Sequence, residues 1–322
     1  MFAALNSFQV GGKPTLVSEV FSTSLYTGNG STQTITNGID LSTKGGLVWI
    51  KSRGQAANHR INDTAAAVAG TKLAPNTTAA LAAEASGLTS FNSNGFSIGS
   101  DGTINTNADP LVSWTFREQA KFFDIVTYTG DGNQKVIAHN LGSAPGFIIA
   151  KATSTTGDWA VWHRSTTFKQ GYLNTTADFT SAVSNFTTNA GTSTTFTVNG
   201  PPSGGILSDV GVTYVAYLFA HDAGGFGASG ADNVISCGST NGSKVTLGYQ
   251  PQWILYKSMD FSEFWQVVDS QRGMPAASPA QLLKPNTSGA ETTTTNNITI
   301  ESDGFTLGAV TGTVIYIAIK AS

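Results

Sequence analysis

The sequence predicts an all-β protein of three tandem β-sandwich-like repeats with few short helices. Three observations carry that reading. One turn is written three times: YTGNGSTQTI (Tyr26 to Ile35), YTGDGNQKVI (Tyr128 to Ile137) and a worn SCGSTNGSKVTL (Ser236 to Leu247). The apolar runs between turns are short, β-branched and aromatic, a strand composition. The chain of 322 residues holds 36 glycines, and its Asn-Gly and Asp-Gly pairs supply the positive φ at which hairpins close.

The repeat extends past the turn. A strand-like run ending near a lysine follows in each unit: GGLVWIKS (Gly45 to Ser52), PGFIIAKA (Pro145 to Ala152) and PQWILYKS (Pro251 to Ser258). A polar-aromatic segment comes next, as NHRIND, DWAVWHRS and SEFWQVVDS. Each unit then sets a phenylalanine, Phe96, Phe196 or Phe305, among β-formers, and closes on a strand. Lys51 to Lys151 is 100 residues and Phe96 to Phe196 is 100; the next intervals are 106 and 109. Such a period exceeds the roughly 20–50 residues of a solenoid repeat or propeller blade. It matches a small β domain. The expected organisation is an N-terminal attachment arm at 1–20, then repeats at 21–121, 122–229 and 230–322.

Between the repeats, REQAK lacks glycine, whereas DAGGFGASG (Asp222 to Gly230) reads as a flexible linker. Three stretches are expected as short helices: Asp63 to Gly70, Thr78 to Gly87 and one turn at Ser278 to Leu283. Asp63, Thr78 and Ser278 would cap them. In the arm, Phe2, Leu5 and Phe8 stand at a spacing of three before Gly11-Gly12, which reads as a sticky segment on a hinge. The equivalent phenylalanines are expected to be buried, since a surface ring has little reason to recur in one register.

Composition excludes several classes. Charged residues make up 11% and the net charge is -3, so neither nucleic acid nor a strongly charged partner is indicated. The 40% hydrophobic content argues for packed cores and against disorder. The single cysteine, Cys237, precludes an internal disulfide and reads as a small buried strand residue. No apolar run reaches membrane-spanning length, so no membrane insertion is expected.

Taken together, YTGNGSTQTI, LVWIKSR, GLTSFNSNGFSIGSD (Gly87 to Asp101) and the terminal YIAI strand resemble a repeated β-domain of unknown function found in tailed-bacteriophage virion proteins. Such proteins are commonly labelled as tail-fibre or structural proteins. MFAALNSF with its two glycines also resembles the starts of some phage tail proteins. The resemblance covers about residues 21–322. It implies a place in a virion, assembled in the bacterial cytoplasm and carried on the extracellular particle, and it transfers no catalytic residue.

Local motifs for chemistry are scarce. His59, His139, His163 and His221 make no metal-binding spacing, and no metal, cofactor or catalytic residue is assigned. Asp158, His163 and Ser165 lie close in sequence, but strand alternation turns Asp158 and His163 to opposite faces. Asp260, Glu263 and Asp269 near Trp265 evoke a glycosidase pair. No other repeat reproduces them, and they read as solvated carboxylates. The binding or interface candidates are the aromatics Trp159, Trp162, Phe264 and Trp265, together with Phe2, Leu5 and Phe8. Lys51, Lys151 and Lys257 read as strand-end lysines with their heads in water.

The expected function is a non-enzymatic virion structural protein, a tail fibre or tail-associated protein attached through its N-terminal arm. A capsid decoration or cement protein is the alternative, and a polysaccharide-degrading tail enzyme a minor one. Expected partners are other virion proteins, a host surface glycan and further copies in a homotrimer.

Overall fold

Each repeat starts and finishes on one antiparallel sheet and covers that sheet with a smaller one. The computed structural model describes residues 14–166, 169–181, 185–274, 280–294, 298–308, 310 and 312–322. The first repeat runs β1 (Phe21–Thr27), β2 (Gln33–Thr36), β3 (Gly46–Ser52), β4 (Arg60–Asp63), β5 (Thr71–Lys72), β6 (Ala82–Ala83), β7 (Leu88–Asn92), β8 (Gly95–Ile98) and β9 (Pro110–Arg117). The second runs β10 (Phe123–Thr129), β11 (Lys135–Ala138), β12 (Phe147–Ala152), β13 (Ala160–His163), β14 (Gly171–Tyr172), β15 (Phe186–Gly191), β16 (Thr195–Val198) and β17 (Thr213–Phe219). The third runs β18 (Ile235–Thr240), β19 (Val245–Thr246), β20 (Pro251–Ser258), β21 (Gln266–Asp269), β22 (Ala280–Leu282), β23 (Thr292–Thr294), β24 (Ile298–Glu301), β25 (Gly304–Leu307) and β26 (Val314–Lys320).

The larger sheets have the orders β1-β9-β3-β4, β10-β17-β12-β13-β14 and β18-β26-β20-β21. The smaller ones are β2-β8-β7, β11-β16-β15 and β19-β25-β24. The closing strand of each repeat therefore lies between its first strand and its lysine strand. In the first repeat it pairs Phe116 with Phe21 on one side and Trp114 with Trp49 on the other.

The strand period of two explains the layering. Along β3 every residue is buried, because both faces are covered. Val48, Ile50 and Leu111 face one way and form a cluster with Ile35, Phe96 and Ile98 of the small sheet. Leu47, Trp49, Trp114 and Phe116 belong to a different cluster, shared with Phe123, Phe147 and Phe219 of the second repeat and Trp253 and Ile317 of the third. The third repeat divides in the same way. Ile254, Tyr256 and Phe305 lie in its own cluster, and Trp253, Leu255 and Ile317 in the shared one. The repeats are thus fused about a common inner core. Phe116 shows this directly, with its ring 5.6 Å from Phe123, Phe219 and Trp253.

Phe96, Phe196 and Phe305 are all fully buried, as expected, and so is Cys237. Three other expectations are corrected. Residues 63–70 and 78–87 are not helical. Asp63 does accept hydrogen bonds from the backbone N–H groups of Ala65, Ala66 and Ala67, as a cap would. The chain then turns away into the β5-β6 ribbon. These alanines carry helix propensity but no apolar stripe to bury, so tertiary pairing decides. Ser278 and Pro279 lie outside the described residues, and Ala280–Leu282 is a strand.

The glycine-rich segment 222–230 is built into the fold. Gly224, Gly225, Gly227 and Gly230 all take positive φ, which winds the chain so that Phe226 reaches the inner core. The Phe226 ring meets Phe122 at 6.2 Å, and the Gly227 N–H donates to Thr15 O.

Candidate functional site

The recurring polar residues gather at the joints between repeats. Leu47, Trp49 and Lys51 share one face of β3, so the lysine points inward behind the tryptophan. Lys51, Lys151 and Lys257 are each fully buried, which corrects the expectation that their heads sit in water. A buried ammonium needs acceptors. Lys51 Nζ donates to Ser52 O at 2.7 Å, and Lys151 Nζ to Ala152 O at 2.8 Å. Two of the lysines reach across a joint, Lys151 to Thr78 O at 3.3 Å and Lys257 to Thr176 O at 2.9 Å. Burial pulls each of the three down to about 8, against the pull of nearby carboxylates such as Asp109, Asp158 and Glu263.

From each repeat an arm reaches the lysine loop of another. Leu81 N donates to Thr153 O at 2.9 Å, Phe179 N to Met259 O at 3.0 Å and Glu291 N to Arg53 O at 2.9 Å. In each case the acceptor lies two residues past the lysine. The residue eight past the lysine then donates a ring N–H back to the arm. Trp159 Nε1 bonds Thr77 O at 3.0 Å, and Trp265 Nε1 bonds Tyr172 O at 2.9 Å. His59 holds the third such place. Its Nδ1 accepts from Trp49 Nε1 at 2.9 Å, which leaves Nε2 to donate to Lys284 O at 3.1 Å. Burial holds His59 well below the usual histidine range, so it stays neutral.

A third set of contacts lies twelve residues past each lysine. Asp63 accepts from Tyr217 Oη at 2.7 Å, His163 Nε2 donates to Tyr316 O at 3.0 Å, and Asp269 accepts from Trp114 Nε1 at 2.8 Å. First joins second, second joins third, and third joins first, so the repeats close into a ring. The third-to-first joint alone has no short covalent connection, and it carries the richest charge pairing. Arg272 bonds Asp269 at 2.6 Å and Glu291 at 3.1 Å, and lies 5.3 Å from the centre of the Trp114 ring. Arg53 also pairs with Glu291 at 2.7 Å.

Among the aromatic candidates, Trp159 and Trp265 are buried in these joints. Trp162 is half-buried against the shared core. Phe264 is exposed, with Lys284 Nζ 4.4 Å from its ring centre. Phe2, Leu5 and Phe8 lie outside the described residues. Of the three carboxylates read as solvated, Asp269 is fully buried and ion-paired, a correction. Asp260 pairs with Lys169 at 3.1 Å. Asp158 accepts from Asn174, and His163 is committed to Tyr316 and Ser165, so no triad forms. Among the described residues no group of His, Cys, Asp and Glu could hold a metal ion.

Sequence reasoning missed the arms. Their signal is a short motif: LAPNTT (Leu73 to Thr78), LNTT (Leu173 to Thr176) and LKPNTS (Leu283 to Ser288). The asparagine side chain fixes the arm root. Asn76 accepts from His59 N at 3.0 Å and Asn174 from Trp159 N at 2.9 Å.

A family model described as "Domain of unknown function (DUF7483)" matches residues 16–318, a span that covers all three repeats. No curated protein matches the chain.

Proposed function

The chain belongs to the DUF7483 family, and from that premise we propose that it is a non-enzymatic structural protein of a bacteriophage virion, a tail fibre or tail-associated protein. The motif resemblance supplies the virion setting. The observation that carries the structural role is the closed ring. The residues that recur between repeats, Lys51, Lys151, Lys257, Trp159 and Trp265, spend their donors on backbone carbonyls within the chain. A body braced in this way keeps its shape while its outer surfaces meet partners. Of the arm expected at 1–20, Val17 and Val20 are buried in the inner core, which corrects its boundary. In this proposal the residues before them attach the protein to the particle and the β repeats face outward. A homotrimer remains part of this proposal, and it must use faces other than the three joints. A ring of three equivalent joints also fits a threefold position in a capsid lattice, which favours the decoration reading as the second choice.

Deleting residues 1–13, which keeps Val17 and Val20 of the inner core, tests the proposal in gradient-purified particles. The full chain should co-purify with particles and the deletion variant should not. Full occupancy by the deletion variant would overturn the attachment role, and absence of the full chain from particles would overturn the virion reading. Immunogold labelling of tail against head separates the two locations.

A further inference from the structure

A half-open groove of about 150 Å³ lies where the start of the first repeat, the 222–234 loop and the end of β26 converge. Leu16, Val17, Phe226 and Val234 supply its apolar lining. Its two charged side chains, Asp232 and Lys320, pair with each other at 2.9 Å, so neither calls for an ionic guest. A cavity of about this size takes up one benzene ring. Leu16 is 47% exposed although it stands on the groove, which leaves apolar surface for such a ring to cover.

The chain itself brings a ring to this place. Residues 1–13 lie outside the described residues, and Pro14 stands two residues before Leu16. The Thr15 carbonyl accepts from the Gly227 N–H at 3.2 Å, which fixes the root of that segment at the groove. Phe8 precedes Pro14 by six residues, a reach of about 20 Å at full extension. Gly11-Gly12 lies between them, a pair suited to a two-residue turn, and a reversal there returns Phe8 to the level of Thr15 and Leu16. On so short a tether the ring is present at an effective concentration of roughly millimolar, well above that of a second copy in dilute solution.

We propose that this groove holds the phenyl ring of Phe8, so that residues 1–13 dock on the body of their own chain. The ring sits against Leu16, Phe226 and Val234 and covers the exposed leucine. The inference stands on the groove and the tether and does not depend on the virion reading. Under that reading the docked arm is its stored form, and attachment to the particle draws Phe8 out.

The test needs no particles and uses NMR of the full chain with protonated phenylalanine rings and labelled valine methyls. NOEs should connect the Phe8 ring to the methyls of Val17 and Val234, and Phe2→Ala should leave them in place. Phe8→Ala should remove them while the valine methyls of the inner core keep their positions. A synthetic peptide of residues 1–13 should then shift the Val234 methyls of the Phe8→Ala chain, and not those of the parent, whose groove is filled. The same peptide carrying Phe8→Ala should shift neither. Absence of the Phe8 NOEs, contacts from Phe2 in their place, NOEs that arise only between separately labelled copies, or peptide shifts of equal size in parent and variant would each overturn the inference.

Discussion

Trp114 of the first repeat donates its indole N–H to Asp269 of the third at 2.8 Å, and the same carboxylate holds the buried Arg272 at 2.6 Å. One side chain therefore satisfies donors from both the first and the third repeat. Asp269→Ala leaves Arg272 buried without that partner and should cost about 3–5 kcal/mol by denaturant unfolding. Trp114→Phe removes one hydrogen bond and part of a ring, and should cost less. Equal, small losses in the two variants would show that the joint contributes little.

Phe116 and Phe305 should respond differently to truncation. Either change to alanine is worth about 3–5 kcal/mol. Phe305 lies in a cluster confined to the third repeat, whereas the Phe116 ring meets rings from all three. Hydrogen exchange should show protection lost across the whole ring in Phe116→Ala and chiefly in the third repeat in Phe305→Ala. Identical exchange maps would contradict the layered core.

The three joint lysines set an alkaline trend. Their folded pKa values, each about 8, lie below the ordinary 10.5, so the folded state binds fewer protons than the unfolded chain between these limits. Their contribution is complete above the unfolded value and is lost as pH falls toward 8. Stability should therefore rise from pH 8 to about 10, where exposed tyrosines begin to ionise. Replacing Lys51, Lys151 and Lys257 with methionine together should flatten that rise in a melting-temperature series.

On the acid side two groups oppose each other. Burial lowers His163 to about 3, so its contribution is present above the ordinary histidine value and is lost as pH falls below about 6.5. Burial raises Glu118 to about 7, with Asp124 and Asp63 adding repulsion, so its contribution is present below the ordinary carboxyl value and is lost as pH rises through 7. Glu118→Gln should gain stability relative to the parent between pH 5 and 8. A parallel pH profile in the variant would show that this carboxyl does not titrate there.

The all-β character and the register of Phe96, Phe196 and Phe305 were legible because repetition exposes them. The lysine orientation was also written in the sequence: the two-residue period puts Lys51 on the face of Trp49. What could not be read was the acceptor, since Thr78 O and Thr176 O are backbone groups of another repeat and leave no side-chain signature. The alanine-rich arm failed for a related reason. Local propensity favours helix, but the Leu81 N–H finds its partner in Thr153, on the next repeat. Trp159 and Trp265 stood out as aromatic candidates, yet only the ring closure shows that their surroundings lie within the same chain.

Closure also sets the mechanical behaviour. In a string of independent domains, tension between the ends peels one unit at a time. Here β1 begins at Phe21 and β26 ends at Lys320, and both lie in repeats that meet at the Trp114–Asp269 joint. Tension on the two ends loads that joint before any single sheet. Once it gives way, the inner core opens to water on its exposed flank. Rupture should register in an optical trap as one tall first event followed by weak ones, rather than as three even steps.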